Sequence, residues 1–311
     1  VCPLLASLVT LFSPMMLVTA TNIMLDLPMA AFFVASIALW CEGIDSERRG
    51  LLILACVAVG LSALCKYFGI AALPLLCLYA IARRRYPGHW LPPLLIPIAC
   101  VALEQLASYS LYHRSLFLNA VDIAGTAANP AFYRIATGLS FTGGCMFGVI
   151  AFSFHMRPRQ RRIAASTGIA VVAASFMAII MHLNPSDDPL PPLSVIQLAV
   201  FILGGTIAFA LALDDLSSER SAESVLLVCW VLGTFVFAAL MNWSVTARTL
   251  LPMAPAVAIL IVRRLQRCHA PPLLRSYTFP LLACIAVSFA CGAADYAWAG
   301  SMRDVARSFV A

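Results

Sequence analysis

Long apolar runs alternate with short polar gaps along nearly the whole chain. The runs fall near residues 2–20, 27–41, 50–65, 68–82, 91–112, 138–155, 163–182, 193–213, 224–241, 249–262 and 276–293. A helix needs about 20 mostly apolar residues to cross a bilayer. The pattern therefore predicts an all-α polytopic transmembrane bundle of ten or eleven helical elements. Ser13-Pro14 breaks the first run. The second, fourth and tenth runs are short, so they are expected to tilt, to re-enter or to borrow length from their neighbours. No fixed-period repeat, heptad run or low-complexity tract is present.

Composition points the same way. The chain is 62% apolar and 11% charged, with a mean hydropathy of +0.93. Soluble domains are about 25% charged, so lipid must serve as solvent for much of this surface. The polar gaps then sort by charge. Glu42–Arg49, Arg83–Trp90, Arg157–Arg162, Asp214–Glu223 and Arg263–Arg275 hold 2, 3, 4, 1 and 4 Lys or Arg, and they are every second gap. The positive-inside rule puts them in the cytoplasm. The remaining basic residues, Lys66, Arg114, Arg134, Arg248, Arg303 and Arg307, fall on the opposite side with Asp26, Asp122, Asp187 and Asp188. Function is expected on that outer face. The net charge of +6 resides largely in the cytoplasmic clusters and is not a nucleic-acid signal. A specific role for Arg83-Arg84-Arg85 or Arg157–Arg162 would be in binding anionic lipid headgroups. The eleven cysteines sit mostly in apolar runs, without Cys-x-x-Cys spacing, and read as small hydrophobes in helix packing.

The longest outer gap, Tyr112–Thr137, reads as a functional lid or a re-entrant piece. His182–Pro192, with Pro189, Pro191 and Pro192, reads as a stiff connector. Residues 1–293 form the expected membrane domain. Residues 294–311, with Tyr296, Trp298, Met302, Val305 and Phe309 at near-helical spacing, read as an interfacial helix or the start of an outer domain. The chain opens inside an apolar run and closes just after a polar stretch begins, so both ends are expected to be cut.

Few residues can carry chemistry. Asp26 precedes the second run, with Pro28 two residues on. It is either an N-cap or an interfacial carboxylate with a role. Lys66 is the only lysine, in the tight turn Leu64-Cys65-Lys66-Tyr67-Phe68-Gly69. It either snorkels to the headgroups, with Tyr67 as a belt aromatic, or offers a point charge to a phosphate. Arg248 enters the tenth run from outside, where it either anchors at the interface or grips a phosphodiester through its planar fork. Asn242-Trp243-Ser244 fits a glycosylation sequon, a three-residue pattern that chance often produces. Glu104 is the acidic group deep in a run, beside Gln105, and is either a functional candidate or a hydrogen-bonded structural carboxylate. His113 and His182 read as loop residues, because no spacing around them suits a metal. Topology alone sets Asp26, Lys66 and Arg248 on one face. There the cations would hold an anionic lipid phosphate, and the carboxylate would position or deprotonate an acceptor hydroxyl.

The same segments resemble a known family. Asn22-Ile23-Met24-Leu25-Asp26-Leu27-Pro28-Met29-Ala30 is similar to the Asp-x-Pro stretch of polytopic glycosyltransferases with the GT-C fold. The nearest branch is the protein O-mannosyltransferase and aminoarabinose-transferase superfamily with its dolichyl-phosphate-mannose-type relatives. Gly60-Leu61-Ser62-Ala63-Leu64-Cys65-Lys66-Tyr67 resembles that family's small-Leu-Thr-Lys-Tyr/Gly turn. Ala247-Arg248-Thr249-Leu250-Leu251-Pro252-Met253-Ala254-Pro255 resembles its Ala-Arg-Tyr-Leu-Leu-Pro-x-x-Pro segment, with Thr249 in place of Tyr. Ala294-Asp295-Tyr296 through Arg307 resembles the passage into its outer C-terminal domain.

The resemblance implies inverting transfer of a sugar from a polyprenyl-phosphate donor to a hydroxyl of a lipid, glycan or protein acceptor, on the periplasmic or outer side of the cytoplasmic membrane. Asp26 takes the family's second acidic position, near the acceptor or a bound divalent cation. Lys66, Tyr67 and Arg248 take the positions near the donor phosphate. The family's principal acidic residue lies in a first outer loop upstream of Val1. Roughly a hundred residues would then precede this chain, at about 20 per span, and the fragment alone is expected to be inactive. The competing reading is a secondary transporter or lipid flippase with Glu104 at its midplane, against which the lack of an internal repeat weighs. A third is a non-catalytic membrane scaffold or assembly subunit.

Overall fold

The computed structural model describes residues 2–124, 130–153, 155–156, 192–268 and 274–308, with single positions at 167, 169 and 173. The expected span at 163–182, the connector His182–Pro192, the cluster Arg157–Arg162 and the lid residues Gly125–Asn129 lie essentially outside this set. Every described secondary-structure element is helical. Among the described residues, six helices are long and apolar enough to cross a membrane, or seven if the bent pair at the start forms one span. Two shorter apolar helices and one broken run account for the other described spans, so the all-α, multi-pass reading holds. The residues cluster into two compact units, Val1–Met24 with Ala136–Leu211 and Val257–Ala311, and Leu25–Ile135 with Ala212–Ala256.

The second unit opens with α3 (Asp26–Asp45) and α4 (Arg49–Cys65), an antiparallel hairpin. α4 stops because Lys66 takes an extended conformation, φ −160° and ψ 132°. A 3₁₀ turn, Tyr67–Ala71, then leads into α5 (Ala72–Ala82). The turn lies tight on α4: a Cβ on Gly69 would sit 2.3 Å from the Ser62 carbonyl carbon. A short helix, α6 (Pro87–Trp90), precedes α7 (Leu95–Tyr112), which packs on α4 where Gly60 leaves room for Cys100. His113 ends α7 in the left-handed region, φ 53°. α8 (Leu116–Ala124) follows. The later part of the unit holds α12 (Ala222–Val236), continued by a π-turn at Phe237–Met241, and α13 (Ala247–Leu250) with a 3₁₀ turn at Leu251–Met253. Buried indoles tie these helices together, because an N–H taken out of water needs an acceptor. Trp40 donates to the Leu76 carbonyl at 2.8 Å and Trp230 to the Pro252 carbonyl at 2.8 Å.

In the first unit, α1 (Pro3–Leu11) and α2 (Pro14–Ala20) meet at a 60° bend where the sequence places Ser13-Pro14. Proline removes a donor and pushes its predecessor out of the helical region, and Ser13 is extended at φ −85° and ψ 142°. The carbonyls so released find hydroxyls: Ser13 donates to Thr10 at 2.8 Å and Ser288 to Phe12 at 2.7 Å. α9 (Ala131–Cys145) and α10 (Gly148–Ser153) divide the run expected at 138–155. Two further helices outrun the sequence pattern. α11 (Pro192–Glu219) passes through Asp214-Asp215, which the sequence reads as a gap. α14 (Ala254–Cys268) precedes α15, which runs unbroken over Leu274–Ser308, through the residues expected to begin an outer segment.

Candidate active site

The second unit has two chemically distinct ends. α3 and α4 are antiparallel, so the start of α3 meets the end of α4, and the end of α3 meets the start of α4. At the latter end Arg83 pairs with Asp45, Oδ1 lying 3.1 Å from Nε, and with Glu223. Arg83 Nε also donates to the Tyr79 hydroxyl at 3.0 Å. That hydroxyl, followed by the two carboxylates, raises the Arg83 guanidinium above its ordinary value. Arg85 pairs with Glu47 and donates to the Asp45 carbonyl at 3.3 Å. Two of the three arginines of the Arg83-Arg84-Arg85 cluster are thus committed to carboxylates of the unit itself.

The opposite end gathers the residues singled out by sequence. Lys66 Nζ lies 2.5 Å from Asp26 Oδ1, with the carboxylate side chain only 4% exposed and the lysine 43% exposed. Asp26 is the first residue of α3 and makes no capping hydrogen bond; the N-cap position belongs to Leu25. Its partner is the ammonium, not its own helix. Ser62, one turn before Lys66, donates to the Met29 carbonyl at 2.8 Å and locks the two helix ends in register.

Tyr67 faces the other way. Its hydroxyl donates to Glu104 Oε1 on α7 at 3.0 Å. Ser108 donates to the same oxygen at 2.8 Å, and Gln105 donates to Glu104 Oε2 and to the Tyr67 hydroxyl. Gln105 Oε1 accepts from Ser115 Oγ at 2.6 Å and from the Phe117 N–H at 3.2 Å, and the Phe117 ring meets Tyr67 edge-on with centroids 5.4 Å apart. Glu104, read from sequence as a midplane group, therefore belongs to the neighbourhood of the Lys66 turn.

Arg248 reaches this end by topology. α12 runs from Glu223, at the Arg83 end, past Trp230 to Phe237. The chain turns at Asn242–Thr246 and returns to Pro252, which accepts from Trp230. Arg248 precedes Pro252 by four residues, about 6 Å of helix, so it lies between the turn and the Trp230 level. A layer of rings marks that level: Phe33 against Trp230 at 5.7 Å, Phe33 against Phe68 at 6.2 Å, and Phe68 against Phe237 at 4.5 Å. Asp26, seven residues before Phe33, lies about 10 Å beyond the layer on the same side. Thr246 and Thr249 form a capping box around Arg248. The structure gives Arg248 no ion pair with a described residue, and none with Asp26.

One cation the sequence did not single out joins the group. Arg134 Nη2 donates to the Asn242 carbonyl at 2.5 Å and holds the turn that leads to Arg248. Its only sequence signal is membership of the six basic residues opposite the arginine clusters. The sequon Asn242 uses its amide locally, donating to the Ser244 carbonyl at 2.8 Å. Among the described residues no group of three His, Cys, Asp or Glu side chains is arranged to hold a metal. Asp26 faces the Lys66 ammonium.

Residues 2–111, about a third of the chain, match the family described as dolichyl-phosphate-mannose-protein mannosyltransferase. The matched stretch contains Asp26, Lys66, Tyr67 and Glu104 and ends before Arg134 and Arg248. No curated protein and no solved structure matches the chain. With the helices able to span a bilayer, the match supports a multi-pass membrane protein similar to mannosyltransferases.

Proposed function

We propose that the chain carries part of the active site of a membrane glycosyltransferase. The donor is a sugar on a polyprenyl phosphate, and the acceptor is a hydroxyl presented on the side opposite the arginine clusters. The observation that carries this reading is the Asp26–Lys66 contact, which lies at the end of the unit away from Arg83 and Arg85 and inside the family match. Lys66 and Arg248 receive the donor phosphate. Asp26 holds the ammonium in place. As the phosphate takes over that ammonium, the carboxylate turns to orient the acceptor hydroxyl. The acceptor oxygen bonds to the anomeric carbon from the face opposite the phosphate, and the bond from that carbon to the phosphate oxygen breaks, which inverts the centre. The electron pair leaves with the polyprenyl phosphate, whose growing charge the two cations neutralise, and the acceptor proton passes to a carboxylate.

Removing charge stabilisation of this kind costs about a hundredfold or more in rate. In the whole protein, Asp26→Asn and Arg248→Ala are expected to insert normally and to lose transfer from a polyprenyl-phosphate sugar by at least about that factor. Wild-type turnover in either variant overturns the assignment of that residue. Uptake into proteoliposomes that depends on Glu104, without sugar transfer, would favour the transporter reading instead.

A further inference from the structure

Lys66 and Tyr67 are consecutive residues held from opposite sides, each by a carboxylate. Lys66 reaches α3, where Asp26 receives its ammonium. Tyr67 reaches α7, where Glu104 receives its hydroxyl. Lys66 is the extended link between the end of α4 and the 3₁₀ turn that starts at Tyr67, so the two side chains leave from different elements. We propose that Glu104 is a positioning residue for the donor-phosphate site: acting through Tyr67, it fixes the turn from which Lys66 presents its charge. This inference rests on the reading of Lys66 as a phosphate ligand.

Three features support it. First, the turn is held by different bonds on its two sides. Its own backbone bonds, Lys66 N–H to Ser62 at 3.0 Å and Gly69 N–H to Lys66 at 2.8 Å, tie it to α4 and to itself. The Tyr67 hydroxyl is the polar tie from the turn to α7. Second, Glu104 is built for that role. One oxygen accepts from both Tyr67 and Ser108 while Gln105 takes the other, so the carboxylate is fixed by three donors. A carboxylate serving transport would need to shed such partners. Third, the same cluster reaches α8. Gln105 accepts from Ser115 and from the Phe117 N–H, and Phe117 lies edge-on to the Tyr67 ring. The segment beyond α7 is thereby fastened to the residue next to Lys66.

The probe is polyprenyl phosphate without sugar, the product common to every donor of this class. Its binding is measured on the whole protein in nanodiscs, together with the ligand-free melting temperature. A hydrogen bond to a charged group contributes about 1.5–3 kcal/mol, so Glu104→Ala is expected to weaken binding about tenfold or more. Glu104→Gln keeps one acceptor oxygen for Tyr67 and Ser108 but turns a second donor toward Gln105, so its loss is expected to be smaller than that of Glu104→Ala. In a Lys66→Ala background, Glu104→Ala should cost nothing further, because the turn then has no charge to present. Three results overturn the inference. Glu104→Ala could bind as wild type does. The loss could persist undiminished in the Lys66→Ala background. Or the Gln variant could fall as far as Ala. Failure of the wild type to bind polyprenyl phosphate removes the donor reading itself, and this inference with it.

Discussion

A half-exposed lysine over an almost fully buried carboxylate is an asymmetric pair. Removing Lys66 leaves the Asp26 charge stranded, whereas removing Asp26 leaves an ammonium that can turn to water or headgroups. Lys66→Met is therefore expected to destabilise the protein by about 2 kcal/mol, below the full range for buried pairs because one partner is exposed. Asp26→Asn should cost less, and the double variant should recover most of the Lys66→Met loss. Thermal unfolding in detergent checks this, and a double variant no better than Lys66→Met would contradict it. Both residues were legible as candidates because a single lysine and an interfacial Asp stand out in an apolar chain. Their direct contact was not legible, since it joins positions forty residues apart across a hairpin. Tyr67 shows the same limit. Its position in the turn could be read from the sequence, but the direction of its hydroxyl could not, because the acceptor on α7 is thirty-seven residues away. Arg134 was legible as an outer-face cation, but its role was not, because its partner is a main-chain carbonyl, which leaves no trace in side-chain spacing.

At the scale of elements, apolar runs found most of the helices and missed where they stop. α11 continues through Asp214-Asp215 because Asp215 is buried and accepts from Ser224 at 2.7 Å, so the helix need not end where charge begins. Ser221 then caps α12, accepting from the Ser224 N–H, which reduces the expected ten-residue gap to a sharp turn. Close helix crossings were hidden for a different reason. A Cβ on Gly143 would lie 1.9 Å from the Phe201 carbonyl oxygen, and one on Gly205 would lie 2.2 Å from that of Leu139. Backbone meets backbone in both places, so no side chain can move aside. Gly143→Ala or Gly205→Ala is expected to force α9 and α11 apart and to cost about 3 kcal/mol, the upper part of the range for overpacking. Gly233 on α12 has open space around its would-be Cβ. Gly233→Ala should raise stability by about 0.5–1 kcal/mol through helix propensity. Melting temperatures of the three variants in one detergent separate crossing from propensity, and equal effects at all three sites would refute the crossing argument.

For the molecule as a whole, the sequence set a direction that the second unit now makes testable. The arginine-rich gaps Glu42–Arg49 and Arg83–Trp90 and the carboxylate Glu223 meet at one end of that unit, and Asp26, Lys66, Glu104, Arg134 and Arg248 lie toward the other. The positive-inside rule counts Lys and Arg and gives little weight to acidic residues. Pairing of Arg83 with Asp45 and Glu223 therefore leaves its prediction unchanged, and the arginine end should face the cytoplasm. Two exposed aromatics mark the ends: Tyr86, 81% exposed, beside the arginines, and Trp243, 60% exposed, in the turn held by Arg134. Tyr86→Cys and Trp243→Cys place a thiol at each. Labelling by a membrane-impermeant maleimide is read against the chain without either substitution, whose own thiols include Cys65 beside Lys66 and Cys268 among the arginines. On intact cells Trp243→Cys should label and Tyr86→Cys should not, until the membrane is opened. The reverse pattern would turn the chain over, put Lys66 and Arg248 in the cytoplasm, and leave a donor presented outside with no access to them. Labelling of both on intact cells would mean that the two ends do not lie on opposite sides of the bilayer, and the spans through α3 and α4 would have to be redrawn.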